Sequence, residues 1–286
     1  MSTLRDIRRR ISSVKNTRKI TRAMKLVASA KMHKAKQAAA NAQPYQRAVQ
    51  STLRKVLMAE DSLEHPLLTT PLNDTDIVLV AFSSNRGLCG SFNSQIIKHV
   101  TSEIETHQQA GKKVSLILYG KKLVNAIKKN DSVTIVFSSE EAAPTNFDEF
   151  ANELGARLTD LLQKNQLEKA ILCYNKFESV IAQTPMSDQV LPMKLEKGED
   201  EFVDYIFEPN PEEILGSLLP LSLRSQLLQA FLDTEAGEQS ARMQAMENAT
   251  KNAGEMIDRL SLEYNRARQA AITTELTEII SGAEAL

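Results

Sequence analysis

The stretch with the strongest chemical suggestion is Ser83-Ser84-Asn85-Arg86-Gly87-Leu88-Cys89-Gly90-Ser91. It follows an apolar run and precedes a helical one, the place where phosphate loops sit because helix N-terminal amides attract anions. The spacing argues otherwise. Neither GxGxxG nor GxxxxGK[ST] is present, and Gly90 is followed by Ser91-Phe92 with no lysine to reach a phosphate. A tight strand-to-helix turn accounts for both glycines. The histidines (His33, His65, His99, His107) show no paired ligand spacing, and His33 reads as a surface residue among Lys31, Lys34 and Lys36. No G-x-S-x-G elbow appears. Thr274 to Glu278 brings two acids within one helical turn, where solvated or partner-facing carboxylates are expected. Cys89 and Cys173 make neither a disulfide framework nor a metal spacing, so a reduced, cytosolic-side setting is expected. The residues call for no metal and no cofactor. They suggest a machine part, not a catalyst.

The elements that carry these residues are of two kinds. Of 286 residues, 42% are apolar and 25% charged, which excludes wholesale disorder. Aromatic residues make up only 5%, Trp is absent, and Gly (10) and Pro (9) are sparse, as long helices would require. The longest apolar run, Ile77 to Phe82, is far short of the ~20 residues that span a bilayer. The N-terminus lacks a signal-peptide core; it is basic and acid-poor like a transit peptide, but it carries heptad spacing. Thr3 to Asp6 can cap a helix, and Leu4, Ile7, Ile11 and Val14 step as a coiled-coil seam. That seam is expected to stutter at Lys15–Lys19 and resume in a new phase at Ile20, Met24 and Val27. Pro44 is expected to kink or break the helix near Asn41. At the other end, Ala249, Ala253, Ile257, Leu260, Tyr264, Ala267 and Ala271 form a matching seam, continued by Ile272, Leu276, Ile279 and Ala283. A repeat near 3.5 residues predicts a left-handed supercoil.

Between the ends, strands are expected at 76–82, 114–119, 133–137 and 170–174, alternating with helices at 93–110, 121–129 and from the Asn146 cap to 163. Extended segments at 180–191 and 202–207 follow. Alternation of this kind indicates a parallel sheet with right-handed crossovers. The domain boundaries implied are 1–60, 74–210 and 211–286.

The net charge of −1 hides an asymmetry: residues 1–60 carry a net +13 and the rest −14. Such an N-terminal segment calls for an acidic partner: nucleic acid, anionic lipid or an acidic protein surface. The 217–286 stretch is acidic, which makes the two end helices natural mates.

Long blocks of the sequence resemble one family. Ile11 to Met24 (ISSVKNTRKITRAM) with Val27 to Met32, the turn Arg86-Gly87-Leu88-Cys89-Gly90, Ser240-Ala241-Arg242-Met243, and Tyr264 to Leu276 through Ala283 are together similar to the gamma subunit of the rotary F-type ATP synthase. The resemblance covers essentially the whole chain in the right order. It implies an α/β fold class: a long antiparallel, left-handed coiled coil of N- and C-terminal helices with an inserted Rossmann-like α/β domain. It also implies a function. The helices would form a shaft inside a ring of three alpha and three beta subunits, and the inserted domain, with the epsilon subunit, would meet the membrane c-ring. The chain would couple ion-driven rotation to conformational cycling of beta, regulate ATPase activity and proton flow, and hold no catalytic site itself. Met24 and Lys25 are similar to the family's contact point on the ring, with Arg242 and Glu278 nearby on the partner helix. Arg268, Gln269, Thr273 and Glu275 match polar contacts to the ring. The end, Ile279, Ile280, Ala283, Ala285 and Leu286, would serve as an apolar bearing. Tyr205 and Glu208 lie in the segment that resembles the c-ring side. No redox insertion or cysteine pair of the chloroplast kind is present, and the chain begins at the shaft helix, so the setting implied is the cytoplasmic face of a bacterial inner membrane. Membrane association would come only through the complex.

Two other classes stay open on residues alone. A coiled-coil nucleic-acid protein would use the basic segment, against which stands the lack of aromatic interleaving or of any standard module. An α/β nucleotide-using enzyme would need the missing phosphate loop.

Overall fold

The computed structural model describes residues 4–59, 65–69, 76–128, 132–139, 147–164, 166–194 and 206–284. The expected Thr3 and Asn146 caps, Tyr205, Ala285, Leu286 and most of the extended segment 202–207 lie outside these; Ile206 and Phe207 are described and belong to no strand. In order, the elements are α1 (Leu4–Ala59), β1 (Asp76–Phe82), α2 (Phe92–Gln109), β2 (Lys113–Tyr119), α3 (Lys121–Ile127), β3 (Thr134–Ser139), α4 (Phe147–Gln163), β4 (Lys169–Phe177), β5 (Gln183–Leu191) and α5 (Pro211–Glu284). The residues gather into two compact units, Ala30–Ala241 and, separately, Met1–Ser29 with Arg242–Leu286.

In the larger unit the strands form one sheet in the order β3-β2-β1-β4-β5. The first four are mutually parallel, and β5 returns antiparallel to β4 as a hairpin. Strand alternation sends β1 side chains to two cores. Ile77, Leu79 and Ala81 pack with α2 and α3. Val78, Val80 and Phe82 pack with α4, with Val49, Leu53 and Val56 of α1, and with Leu215 to Phe231 of α5. The sheet is therefore covered on both faces, which is why its central strand reads as a continuous apolar run.

The smaller unit is a pair of antiparallel helix segments. Arg8 donates to Tyr264 Oη at 2.6 Å, Thr21 and Thr250 hydroxyls meet at 2.7 Å, and Lys25 pairs with Glu247 at 2.6 Å. Each step forward on α1 is matched by a step back on α5. Ala253, Ile257 and Leu260 of the expected α5 seam are buried.

Two expectations are corrected here. The α1 seam does not change phase: Ile7, Val14, Thr21, Ala28 and Ala35 recur every seventh residue on the covered face, while Ile20 and Val27 are exposed. Thr21 holds its inward place because its hydroxyl finds Thr250, so a polar residue masks an unbroken heptad. Nor does Pro44 break the helix; α1 runs through it to Ala59. Loss of one i→i−4 hydrogen bond is outweighed by burial of Met32, Ala35, Val49, Leu53 and Val56 on either side.

Candidate functional site

The glycine-containing loop after β1 is a turn that uses its own polar groups. Ser83 Oγ accepts from Leu123 N and lies 3.3 Å from the carbonyls of Tyr119 and Gly120. Asn93 Oδ1 accepts from Ser84 N at 3.2 Å, Asn93 Nδ2 donates to Cys89 Sγ at 3.1 Å, and Asn85 Oδ1 accepts from Lys121 N at 2.9 Å. Gly120 has φ +103° and no room for a side chain, since a Cβ would meet the Ser83 carbonyl oxygen. Leu88 takes a left-handed φ of 64° and is 64% exposed. The side chains of Ser83, Ser84, Asn85 and Asn93 are spent on bracing the turn itself.

In a doubly wound sheet the ligand crevice lies beyond the carboxyl ends of the strands, where strand order reverses; here that is between β1 and β4. Phe82 and Tyr119, the last residues of β1 and β2, stack with Phe150 of α4 and Phe231 of α5 at ring separations of 4.7–6.2 Å. Helix α5 occupies the ground a ligand would take.

The histidines hold a feature that spacing alone did not reveal. His99, Glu103 and His107 stand four apart on α2, and Ser187 of β5 joins them: His99 Nε2 lies 2.7 Å from Ser187 Oγ, which donates to Glu103 Oε1 at 2.8 Å. His107 Nε2 sits 3.5 Å from Glu103 Oε2. The i, i+4, i+8 pattern was the available signal, but the seryl partner comes from a strand more than eighty residues away. Both Glu103 contacts are on the same imidazole nitrogen that faces Ser187 or on a second histidine, so a relay of the Ser-His-acid kind is not formed. Burial pushes the neighbouring Cys173 thiol up to about 12, which leaves it protonated and inert. Among the described residues, no group of three or more His, Cys, Asp or Glu is placed to hold a metal ion.

The residues expected to meet partners are distributed along the helices. Met24 and Lys25 are half-buried, and Lys25 is engaged by Glu247. Arg242 is buried. Glu278 is not near Lys25: it stands about 46 Å further along α5 than Glu247, at 1.5 Å per residue. Arg268, Gln269, Thr273, Glu275, Glu278 and Glu208 are exposed, with the Thr273 hydroxyl bonded to the Gln269 carbonyl. From the pairing of Arg8 with Tyr264, the first described residue of α1 falls opposite residue ~268, so about four further turns of α5 have no described α1 residue across from them. Residues 272–283 are exposed throughout, and Ile272, Leu276, Ile279 and Ile280 recur at helical spacing on that stretch. On α1, Arg5, Arg8, Arg9, Arg10, Lys15, Lys19 and Arg22 are exposed beside Ile20, Leu26 and Val27. Basic groups and apolar side chains thus lie side by side on the exposed helix surfaces. Among the described residues no helix is long and apolar enough to cross a membrane.

Known proteins share this organisation. The ATP synthase family profile matches residues 3–286. ATP synthase gamma chain from Paracoccus denitrificans is 44% identical, and that from Pelagibacter ubique 39%, each alignment covering 100% of both chains. Among solved structures, the central stalk/c-ring of Tetrahymena thermophila mitochondrial ATP synthase superposes with a TM-score of 0.60 at 25% identity, over 80% of this chain and 99% of that one. The rotor of the Euglena gracilis mitochondrial enzyme shares the fold, with a TM-score of 0.59 at 16% identity. A sheet domain that lies in sequence between two long terminal helices, matched end to end by these relatives, makes this chain a member of the ATP synthase gamma-chain family.

Proposed function

We propose that the chain is the central rotor of an F-type ATP synthase, coupling ion-driven rotation of a membrane c-ring to conformational cycling of three catalytic beta subunits in a ring with three alpha subunits. It works without a catalytic site of its own, sits with the epsilon subunit on the cytoplasmic face of a bacterial inner membrane, and reaches the membrane only through the complex. The observation that carries this reading is the antiparallel helix pair bearing a strongly basic exposed face and continuing into a stretch of α5 that has no described α1 residue opposite it and exposes isoleucines and a leucine. Coupling requires only that each beta state bind the shaft face presented to it with a different free energy; that difference shifts its nucleotide affinity. Arg5, Arg8, Arg9, Arg10 and Arg22 supply angle-dependent attraction to acidic surfaces. Arg268, Gln269, Thr273, Glu275 and Glu278 are exposed where a surrounding ring could touch them, whereas Lys25 and Arg242 act first inside the chain and Met24 from a half-buried position. Tyr205 and Glu208 belong to the side that would meet epsilon and the c-ring.

The test is co-expression with alpha, beta and epsilon. The assembled complex should hydrolyse ATP faster than alpha and beta alone, and deleting residues 272–286 should weaken torque or assembly while beta still binds nucleotide. Loss of nucleotide binding by beta on that deletion, or ATP hydrolysis by the isolated chain, would overturn the reading.

A further inference from the structure

On helix α5, residues 236–240 are all buried. Consecutive helical residues point about 100° apart, so five in a row buried means the helix is covered around its whole circumference. Glu238, Gln239 and Ser240 lie in this stretch, so the grip is largely polar. Two of its parts are visible. The first is a notch: a methyl group at Gly237 would lie 3.1 Å from Phe92 Cε2 and 3.3 Å from Gln183 Cγ, so the α2 start and the β5 start press against bare backbone there. Asn175 of β4, fully buried, donates to the Phe92 carbonyl and fixes that end of α2. The second is the tip of the β4–β5 hairpin. Its turn is braced by Ser179 and Ala182, whose backbones exchange hydrogen bonds, and Gln183 Nε2 donates to the carbonyls of Ser179 and Val180 at 3.1 Å. The Val180 carbonyl also accepts from Ser240 Oγ at 2.6 Å. One carbonyl thus ties the hairpin to itself and to the helix, while Ile181 at the tip is left 84% exposed.

We propose that the β4–β5 hairpin tip and Phe92 form a clasp that stops α5 from turning about its own axis within the α/β domain, with Gln183 and Ser240 as positioning residues for torque transfer from that domain into the helix. The proposal rests on the rotor reading above. A helix packed on one side can roll against its support. One encircled and keyed at a glycine notch cannot roll without first opening the hairpin.

The experiment uses the whole complex in vesicles, unmodified or carrying Gln183→Ala with Ser240→Ala. Three quantities are read: ATP hydrolysis, ions pumped per ATP against an opposing gradient, and hydrogen exchange of the 179–183 amides. Losing three side-chain hydrogen bonds, two from Gln183 and one from Ser240, should speed exchange at the hairpin about tenfold or more. Hydrolysis should persist while pumping per ATP falls several-fold under load. Gln183→Met, which keeps the stem against Gly237 but not the amide, should give a smaller change in the same direction and serves if the double variant fails to assemble. Faster exchange with unchanged pumping per ATP would overturn the clasp as a torque element, and unchanged exchange would overturn it as a clasp. If the unmodified complex shows no link between hydrolysis and pumping, the rotor reading fails instead, and the exchange result still decides whether the hairpin holds the helix.

Discussion

Thr21 and Thr250 illustrate what a single residue does in a thin seam. Thr250 Oγ1 lies 2.7 Å from the Met246 carbonyl and Thr21 Oγ1 3.2 Å from the Arg18 carbonyl, so each hydroxyl has a backbone acceptor and either can supply the proton of the cross-helix bond. Thr250→Val therefore strips Thr21 of a buried partner and should cost about 1 kcal/mol, while the double Thr21→Val/Thr250→Val should be nearly neutral, because paired apolar replacements leave no orphan. Denaturant titration of the full chain checks both; a double variant worse than the single would be inconsistent with this view. Asp233 behaves differently. Burial raises its carboxyl to about 6 against the pull of the Gln229 hydrogen bond and Lys176. A raised carboxyl is more easily ionised in the unfolded chain, so stability should be fullest below about pH 4 and decline as pH rises through about 6. Asp233→Asn should remove that decline and gain up to about 2 kcal/mol at pH 8, allowing for partial solvent screening. His107 has the opposite sign: burial first, then Lys169, lowers it, so acidification below about 6.5 should cost stability that His107→Gln retains. Melting curves across pH 4–8 would separate the two.

At the scale of elements, two positions test why the backbone runs as it does. Gly120 closes β2 into α3 at φ +103° with the Ser83 carbonyl pressed against it. Gly120→Ala should cost about 3 kcal/mol or more, since neither the dihedral nor the neighbouring backbone can yield cheaply, and a thermal midpoint within a degree of the parent would refute this. Pro44 is the reverse case. Because α1 is already straight-through helix there, Pro44→Ala restores a donor and should stabilise by about 1–3 kcal/mol. The strands and helices of the α/β domain were legible because each run carries its own period and its own punctuation, and boundaries fell within a few residues. The uninterrupted α1 was not legible. Proline's local cost is visible in a sequence, but the burial on both sides that outweighs it is a tertiary quantity.

For the whole molecule, charge is the lever. In the smaller unit Lys25 pairs with Glu247 and Arg8 bonds Tyr264, while Arg5, Arg9, Arg10, Lys15, Lys19 and Arg22 stand exposed along α1. Association with an acidic ring should therefore weaken as salt rises from ~0.05 M to ~0.5 M, since the Debye length shrinks through the contact range. Arg9→Glu with Arg10→Glu should weaken it further and flatten the salt dependence. Ultracentrifugation of the complex at the two ionic strengths reads this directly; an association indifferent to both would mean that apolar contacts at residues 272–283 carry it alone.

The sequence by itself determined the family, the alternation of strands and helices, the seam of α5 and the lopsided charge, because these reside in local periodicity and in composition. Only tertiary structure decided which residues of α1 face inward, since a threonine with a partner 229 positions away outcompetes an adjacent isoleucine for the buried place. The tertiary fold also decided that Glu278 lies far from Lys25, that a serine from β5 joins two histidines of α2, and that α5 fills the mouth of the sheet. Each depends on where distant segments meet, and pairing free energies between such segments leave no trace in the spacing of either one.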